Sequence, residues 1–155
     1  MKRSFCLAVA LAALPAAAAD VAYPEGYRDW HHVKSMVIQP GHALFDAFGG
    51  IHHIYANRKA MEGYRSGRFA DGSVIVFDLL EAPSAGGAVT EGARKVVGVM
   101  ARDAKRFAAT GGWGFEGFKG DSKSERAVGA NAAKACFECH APRRDRAYVF
   151  SAPRK

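Results

Sequence analysis

The chain has 155 residues, of which 49% are hydrophobic and 24% charged, and its formal net charge is +7. That balance excludes an intrinsically disordered chain and suits one domain with a single core. The positive excess is modest and spread along the sequence, and with no nucleic-acid motif and no internal repeat a nucleic-acid partner is not expected.

Met1-Lys2-Arg3 is a positive n-region, Phe5 to Ala16 an apolar stretch, and Ala17-Ala18-Ala19 supplies the small residues of a cleavage site. Residues 1–19 therefore read as a signal peptide, with cleavage after Ala19 and a mature domain over residues 20–155. The apolar stretch falls short of the roughly 20 residues that a membrane span requires. Nothing later in the chain is long and uncharged enough to span, and a retained anchor is the alternative. The expected address is periplasmic. Cleavage removes Lys2, Arg3 and Cys6, lowers the formal charge from +7 to +5, and leaves Cys136 and Cys139 as the cysteines of the mature chain.

Tyr23-Pro24-Glu25-Gly26-Tyr27 reads as a turn or short helical start, and Trp30 to Ile38 as a strand broken by Pro40-Gly41. Ala43 to Gly50 is apolar but too short to assign. Ile51 to Ala56 is a second strand. Asn57 is a good N-cap for a helix over Arg58 to Ser66, which Gly67 ends. Asp71-Gly72 marks a turn, and Ser73 to Glu81 is the strongest strand. Ala82 to Glu91 reads as a loop, Arg94 to Asp103 as a fourth strand, Ala108 to Gly112 as a turn, and Trp113 to Phe118 as a fifth strand. Ser122-x-x-Glu125 has the form of a capping box. It is expected to open a helix that carries Val128, Ala132, Cys136 and Cys139 on one face. The fold class is thus α+β: an antiparallel five-stranded sheet, short helices, and a C-terminal helix.

That helix carries Cys136-Phe137-Glu138-Cys139-His140, a C-x-x-C-H sequence. On a helical turn, cysteines three apart share one side. Each thiol can add to one haem vinyl group, and His140 can present a neutral imidazole to the iron as proximal ligand. The motif therefore calls for one covalent haem c. Two alternatives remain at this point: a small disulfide, or a zinc site built on Cys136, Cys139 and His140, which would need a fourth ligand. Helical electron-transfer cytochromes c place the motif early and supply a methionine after it, whereas no methionine follows His140 here.

With these blocks in order, the chain resembles the cytochrome P-460 family, which includes the cytochromes c′-beta. The resemblance rests on Gly26-Tyr27-Arg28-Asp29-Trp30, on Tyr55 through Gly67, and on Phe69-Ala70-Asp71-Gly72-Ser73 with Val74 to Glu81. It continues in Gly112-Trp113-Gly114-Phe115, Cys136 to His140, and Val149-Phe150-Ser151. It implies a sheet-rich homodimer with one five-coordinate haem per chain, in which some members oxidise hydroxylamine and others bind nitric oxide or related gases. In the oxidising members a lysine makes a third covalent link to the haem. That lysine aligns near Tyr64-Arg65, where this chain has none. Lys59 and Tyr64 are the side chains of the segment that could take its place, since the Arg65 guanidinium stays protonated. The resemblance thus implies small nitrogen ligands and leaves hydroxylamine oxidation as the alternative activity.

Other candidates come from the residues themselves. Glu116 shares a strand face with Gly114 and Phe118, and could act as a distal base if that face looks at the iron. The alternative is a solvent-facing carboxylate. Phe45, Phe48, Phe77, Phe115 and Phe118 are core or a distal wall. Adjacent residues on a strand point to opposite faces, so neither His31-His32 nor His52-His53 can chelate one metal, and at most one of each pair can converge. These histidines, with Met36, Met61 and Met100, are also the candidates for a sixth iron ligand in a six-coordinate electron carrier. Arg143-Arg144-Asp145-Arg146 is either a solvated surface or a docking patch for a soluble, acidic redox partner.

Overall fold

The computed structural model describes residues 21–154. The leader assigned to residues 1–19 lies outside them. Five strands form one antiparallel sheet in the order β1-β2-β3-β6-β7: β1 His31–Ile38, β2 Gly50–Ala56, β3 Val74–Leu80, β6 Arg94–Arg102 and β7 Trp113–Lys119. These are the five strands expected from the β-branched and aromatic runs. A one-turn helix, α1 (Phe45–Phe48), fills the stretch left unassigned, and the expected loop after β3 contains a two-residue hairpin, β4 (Ser84–Ala85) with β5 (Ala88–Val89).

Helix α2 (Arg58–Ser66) has the limits that its cap residues set: Asn57 accepts from the Ala60 N–H at 2.9 Å, and Gly67 closes the helix with a φ of 73°. Asn57 does more than cap. Its Oδ1 also accepts from the Val74 N–H at 3.2 Å, and its Nδ2 donates to the Gly72 carbonyl at 2.9 Å. One side chain thus ties the start of α2 to the turn that starts β3.

Alternation along the strands gives the sheet two different faces. One buries Val76, Val97, Val99 and Phe118 beneath the N-terminal segment with Val21 and Tyr27. The other carries Val33, Ile54, Ile75, Trp113 and Phe115, against which α2, Cys136, Phe137 and Tyr148 pack.

The C-terminal region departs from expectation. Ser122 Oγ does accept from the Glu125 N–H at 2.8 Å, but no helix starts there. The chain runs instead along the free edge of β7: the Lys119 N–H donates to Glu125 O at 2.9 Å, and the Ala127 N–H to Gly117 O at 2.7 Å. Helical structure begins at Gly129–Asn131 and continues through a π-helical turn, Ala133–Phe137, an α-helical turn α3, Glu138–His140, and a 3₁₀ segment, Ala141–Arg146. The unpaired backbone of an edge strand outweighs the local capping signal. Among the described residues no helix is long and apolar enough to cross a membrane.

Asn57→Ala removes the cap and both ties to the β3 turn. We expect a loss of about 1–2 kcal/mol of stability in denaturant unfolding of the haem-loaded protein, with its visible spectrum unchanged.

Candidate haem site

Cys136 and Cys139 are free thiols on consecutive helical turns, Cys136 half-buried and Cys139 exposed. Burial pushes the Cys136 thiol pKa up, with Glu116 and Cys139 adding to the effect. Among the described residues no group of three or more His, Cys, Asp or Glu could hold a metal ion.

His140 is held from several sides. Its Nδ1 donates to the Tyr148 carbonyl at 2.7 Å. The Phe115 ring lies 5.0 Å from the imidazole and the Phe150 ring 4.9 Å. Burial lowers its pKa, so the ring is neutral at pH 7. With the proton fixed on Nδ1, Nε2 keeps its lone pair, which is the state an iron ligand requires.

The backbone carbonyl that holds His140 is placed by a chain reversal. Ala147 and Tyr148 adopt left-handed φ values of 52° and 67°. The Tyr148 N–H donates to Arg143 O at 2.7 Å, and Trp113 Nε1 donates to Ala147 O at 2.9 Å. The Tyr148 ring lies over Gly111, where a Cβ would run into it.

Beside this imidazole the central strands offer an apolar floor. Phe77, Val96, Gly98 and Met100 share the sheet face of Phe115 and are each only partly covered. Their neighbours Val76, Val97 and Val99 are buried on the other face. A half-open apolar strip in the middle of a sheet, next to two free thiols and a neutral imidazole, fits a haem.

The structure brings some of the sequence candidates to this site and not others. Tyr64 is close: it packs on the same core cluster as Cys136 and Phe137, and its hydroxyl lies 2.6 Å from Ser151 Oγ. Lys59 is turned away, with Nζ donating to the Asp71 carbonyl at 3.1 Å, and Arg65 is exposed. Met61 and Met100 pack against the haem-side cluster, whereas Met36 is exposed. His52 shares this face: it is buried, its ring lies 4.6 Å from Phe77, its Nδ1 has no partner, and burial, helped by the charges of His53 and Lys34, lowers its pKa to about 4. Among the phenylalanines, Phe77 and Phe115 belong to this side, Phe48 meets Phe77 at 5.6 Å, and Phe118 is core on the opposite face.

Glu116 has a different task from the distal base considered above. It neighbours Phe115 on β7 and so points to the other face. It is also buried, not solvent-facing. Its Oε1 accepts from the backbone N–H groups of Gly117 at 2.8 Å, Val128 at 3.1 Å and Gly129 at 3.1 Å, and its Oε2 accepts from Arg126 at 2.9 Å. These bonds outweigh burial and lower its pKa. Glu116 fastens the segment leading to the haem motif onto β7. Sequence reasoning missed this clamp and also the Tyr148 carbonyl, because backbone partners leave no signal in residue types.

A family model described as Cytochrome P460 matches residues 24–151, most of the chain. No curated protein gives a significant match.

Glu116→Gln is expected to cost about 2 kcal/mol of unfolding free energy. A carboxylate with a lowered folded pKa contributes stability that is present above its unfolded pKa and lost as pH falls through the folded value. The wild type should therefore lose stability progressively below pH 4.5, and the Gln variant should lack that part of the slope in urea titrations across acid pH.

Proposed function

The chain belongs to the cytochrome P460 family, and from that premise we propose that it is a periplasmic mono-haem c-type cytochrome with an open iron position that binds nitric oxide or related small nitrogen ligands. The family supports a haem-binding cytochrome. The observation that carries the finer reading is the pre-set His140, whose Nδ1–H is donated to Tyr148 O at 2.7 Å beside two free cysteines.

Cys136 and Cys139 would form the two thioethers, and His140 Nε2 would ligate the iron. Haem c held there would supply an iron able to take a small ligand. The protein's own contribution is orientation and exclusion. The Tyr148 carbonyl fixes the imidazole tautomer and raises its basicity. Phe115 and Phe150 hold the ring plane. Phe77, Val96 and Met100 present apolar surface that favours a neutral diatomic over water.

The resemblance also implies a homodimer, which supplies no residue to this argument. The oxidising alternative requires a third haem link, and the placement of Tyr64 and Lys59 bears on it. Lys59 is occupied at the Asp71 carbonyl. Tyr64 stands on the haem side, but burial pushes its pKa up to about 12, so it is a phenol and a poor nucleophile at neutral pH. Without that link the macrocycle keeps ordinary c-type electronics, and weak or no hydroxylamine turnover is expected. Met61 and Met100 keep the electron-carrier reading specific, because both pack on the haem-side cluster.

Ferrous protein exported with the haem-attachment machinery should show a high-spin spectrum and bind carbon monoxide or nitric oxide without displacing a strong ligand. A low-spin ferrous spectrum that disappears in Met61→Leu or Met100→Leu would establish the carrier instead.

A tryptic digest should yield haem on the peptide containing Cys136 and Cys139 alone. Haem also joined to a peptide containing Tyr64 or Lys59 would replace gas binding by hydroxylamine oxidation.

A further inference from the structure

One histidine from each His-His pair reaches the same spot on the sheet face opposite the haem site. His32 comes from β1 and His53 from β2, with ring centroids 5.8 Å apart. Ser35 Oγ sits between them, 2.8 Å from His32 Nε2 and 2.6 Å from His53 Nδ1. On the far side of His53, Glu91 Oε1 lies 2.7 Å from Nε2. It stands off the N–H axis, so the contact is electrostatic and not an aligned hydrogen bond. That carboxylate favours the tautomer with the proton on Nε2, which leaves the Nδ1 lone pair facing Ser35.

His32 is arranged in the same way. Burial lowers its proton affinity, the charges of His53 and Arg154 add to the effect, and the Lys34 backbone opposes it. In the neutral tautomer with its proton on Nδ1, His32 also presents the Nε2 lone pair to Ser35 Oγ, 2.8 Å away. With both rings in these tautomers, two imidazole lone pairs face a single hydroxyl, which has one proton to give. One of them is left against oxygen lone pairs. The place between the rings is short of a cation.

We propose that His32 Nε2 and His53 Nδ1 bind a borderline divalent metal ion of the zinc, copper(II) or nickel type, with Ser35 Oγ turned aside and water in the remaining positions. Imidazole nitrogen suits these ions. Glu91 stands where an outer carboxylate orients a ligating histidine, and its charge offsets part of the ion's. The charge of Arg154 opposes the ion, since it disfavours a positive charge on His32. Only two protein nitrogens converge, and Ser35 and Glu91 are exposed. The site is therefore open and exchangeable, unlike closed four-ligand structural zinc sites. It lies on the other side of the sheet from His140 and does not depend on the haem reading.

The test uses the haem-loaded protein, freed of any affinity tag, titrated with zinc chloride by calorimetry. One zinc ion per chain is expected, with binding weakened at least about tenfold by His32→Ala or His53→Ala and unchanged by His31→Ala. In the unmutated protein, zinc should shift the imidazole proton resonances of His32 and His53 ahead of those of His31 and His42. No saturable binding by the wild type would overturn the proposal, as would unchanged binding in the His32→Ala/His53→Ala double variant, or shifts confined to other histidines.

Discussion

The hydrogen bond from His140 to the Tyr148 carbonyl governs the geometry of the C-terminal third. To deliver that carbonyl the chain reverses within a few residues of the motif, through two non-glycine residues with left-handed φ. Each such residue costs on the order of 1–2 kcal/mol. The cost is offset locally: the Tyr148 N–H is bonded to Arg143 O, the Ala147 carbonyl accepts from the Trp113 indole, and Val149 is buried in the core. Trp113, fully buried at the start of β7, therefore fixes the reversal to the sheet. The imidazole is oriented by the sheet through this chain of contacts, and the five-residue motif alone would not orient it.

Strand alternation divides the work between two surfaces. On β7, Phe115 meets His140 while Glu116, one residue later, clamps the backbone of 128–129 on the other side. On β2, His52 lies on the haem-side face and His53 joins Ser35 and Glu91 on the opposite one. A one-residue slip in either strand would exchange these roles, and the dense cross-strand pairing of β2 with β3 and of β6 with β7 fixes the register.

Much of this was legible before any coordinates. The five strands announced themselves through β-branched and aromatic runs, and α2 through Asn57 and Gly67, whose side-chain and backbone chemistry acts within a few residues. The β4–β5 hairpin was not legible, because Ser84-Ala85 and Ala88-Val89 are too short to show a period. The candidate haem ligands were named by their spacing. What holds them was not, since Tyr148 contributes a carbonyl that any residue could supply. The face reading also restricted the histidines to one from each pair, and His32 with His53 meets that condition. Which two would meet depended on the bulge between His32 and Lys34, a shift of register that no local pattern encodes.

The failure of the capping box at Ser122 exposes a competition between local and tertiary terms. Ser122 makes its half of the box, but Glu125 turns its carboxylate to Lys119 at 2.9 Å and not back to the chain start. A helix from Ser122 would leave the outer edge of β7 unpaired and Glu116 buried without Val128 and Gly129. A buried carboxylate stripped of its donors costs more than one cap contributes. The chain therefore turns back after Gly120, pairs with β7 at Arg126, closes over Glu116, and starts its helical turns at Gly129, where φ is 55°. That later start sets how far along the sheet Cys136 and His140 come to lie. Glu116 thus acts on the candidate haem site through the phase of the helical segment, on a face it does not share with His140.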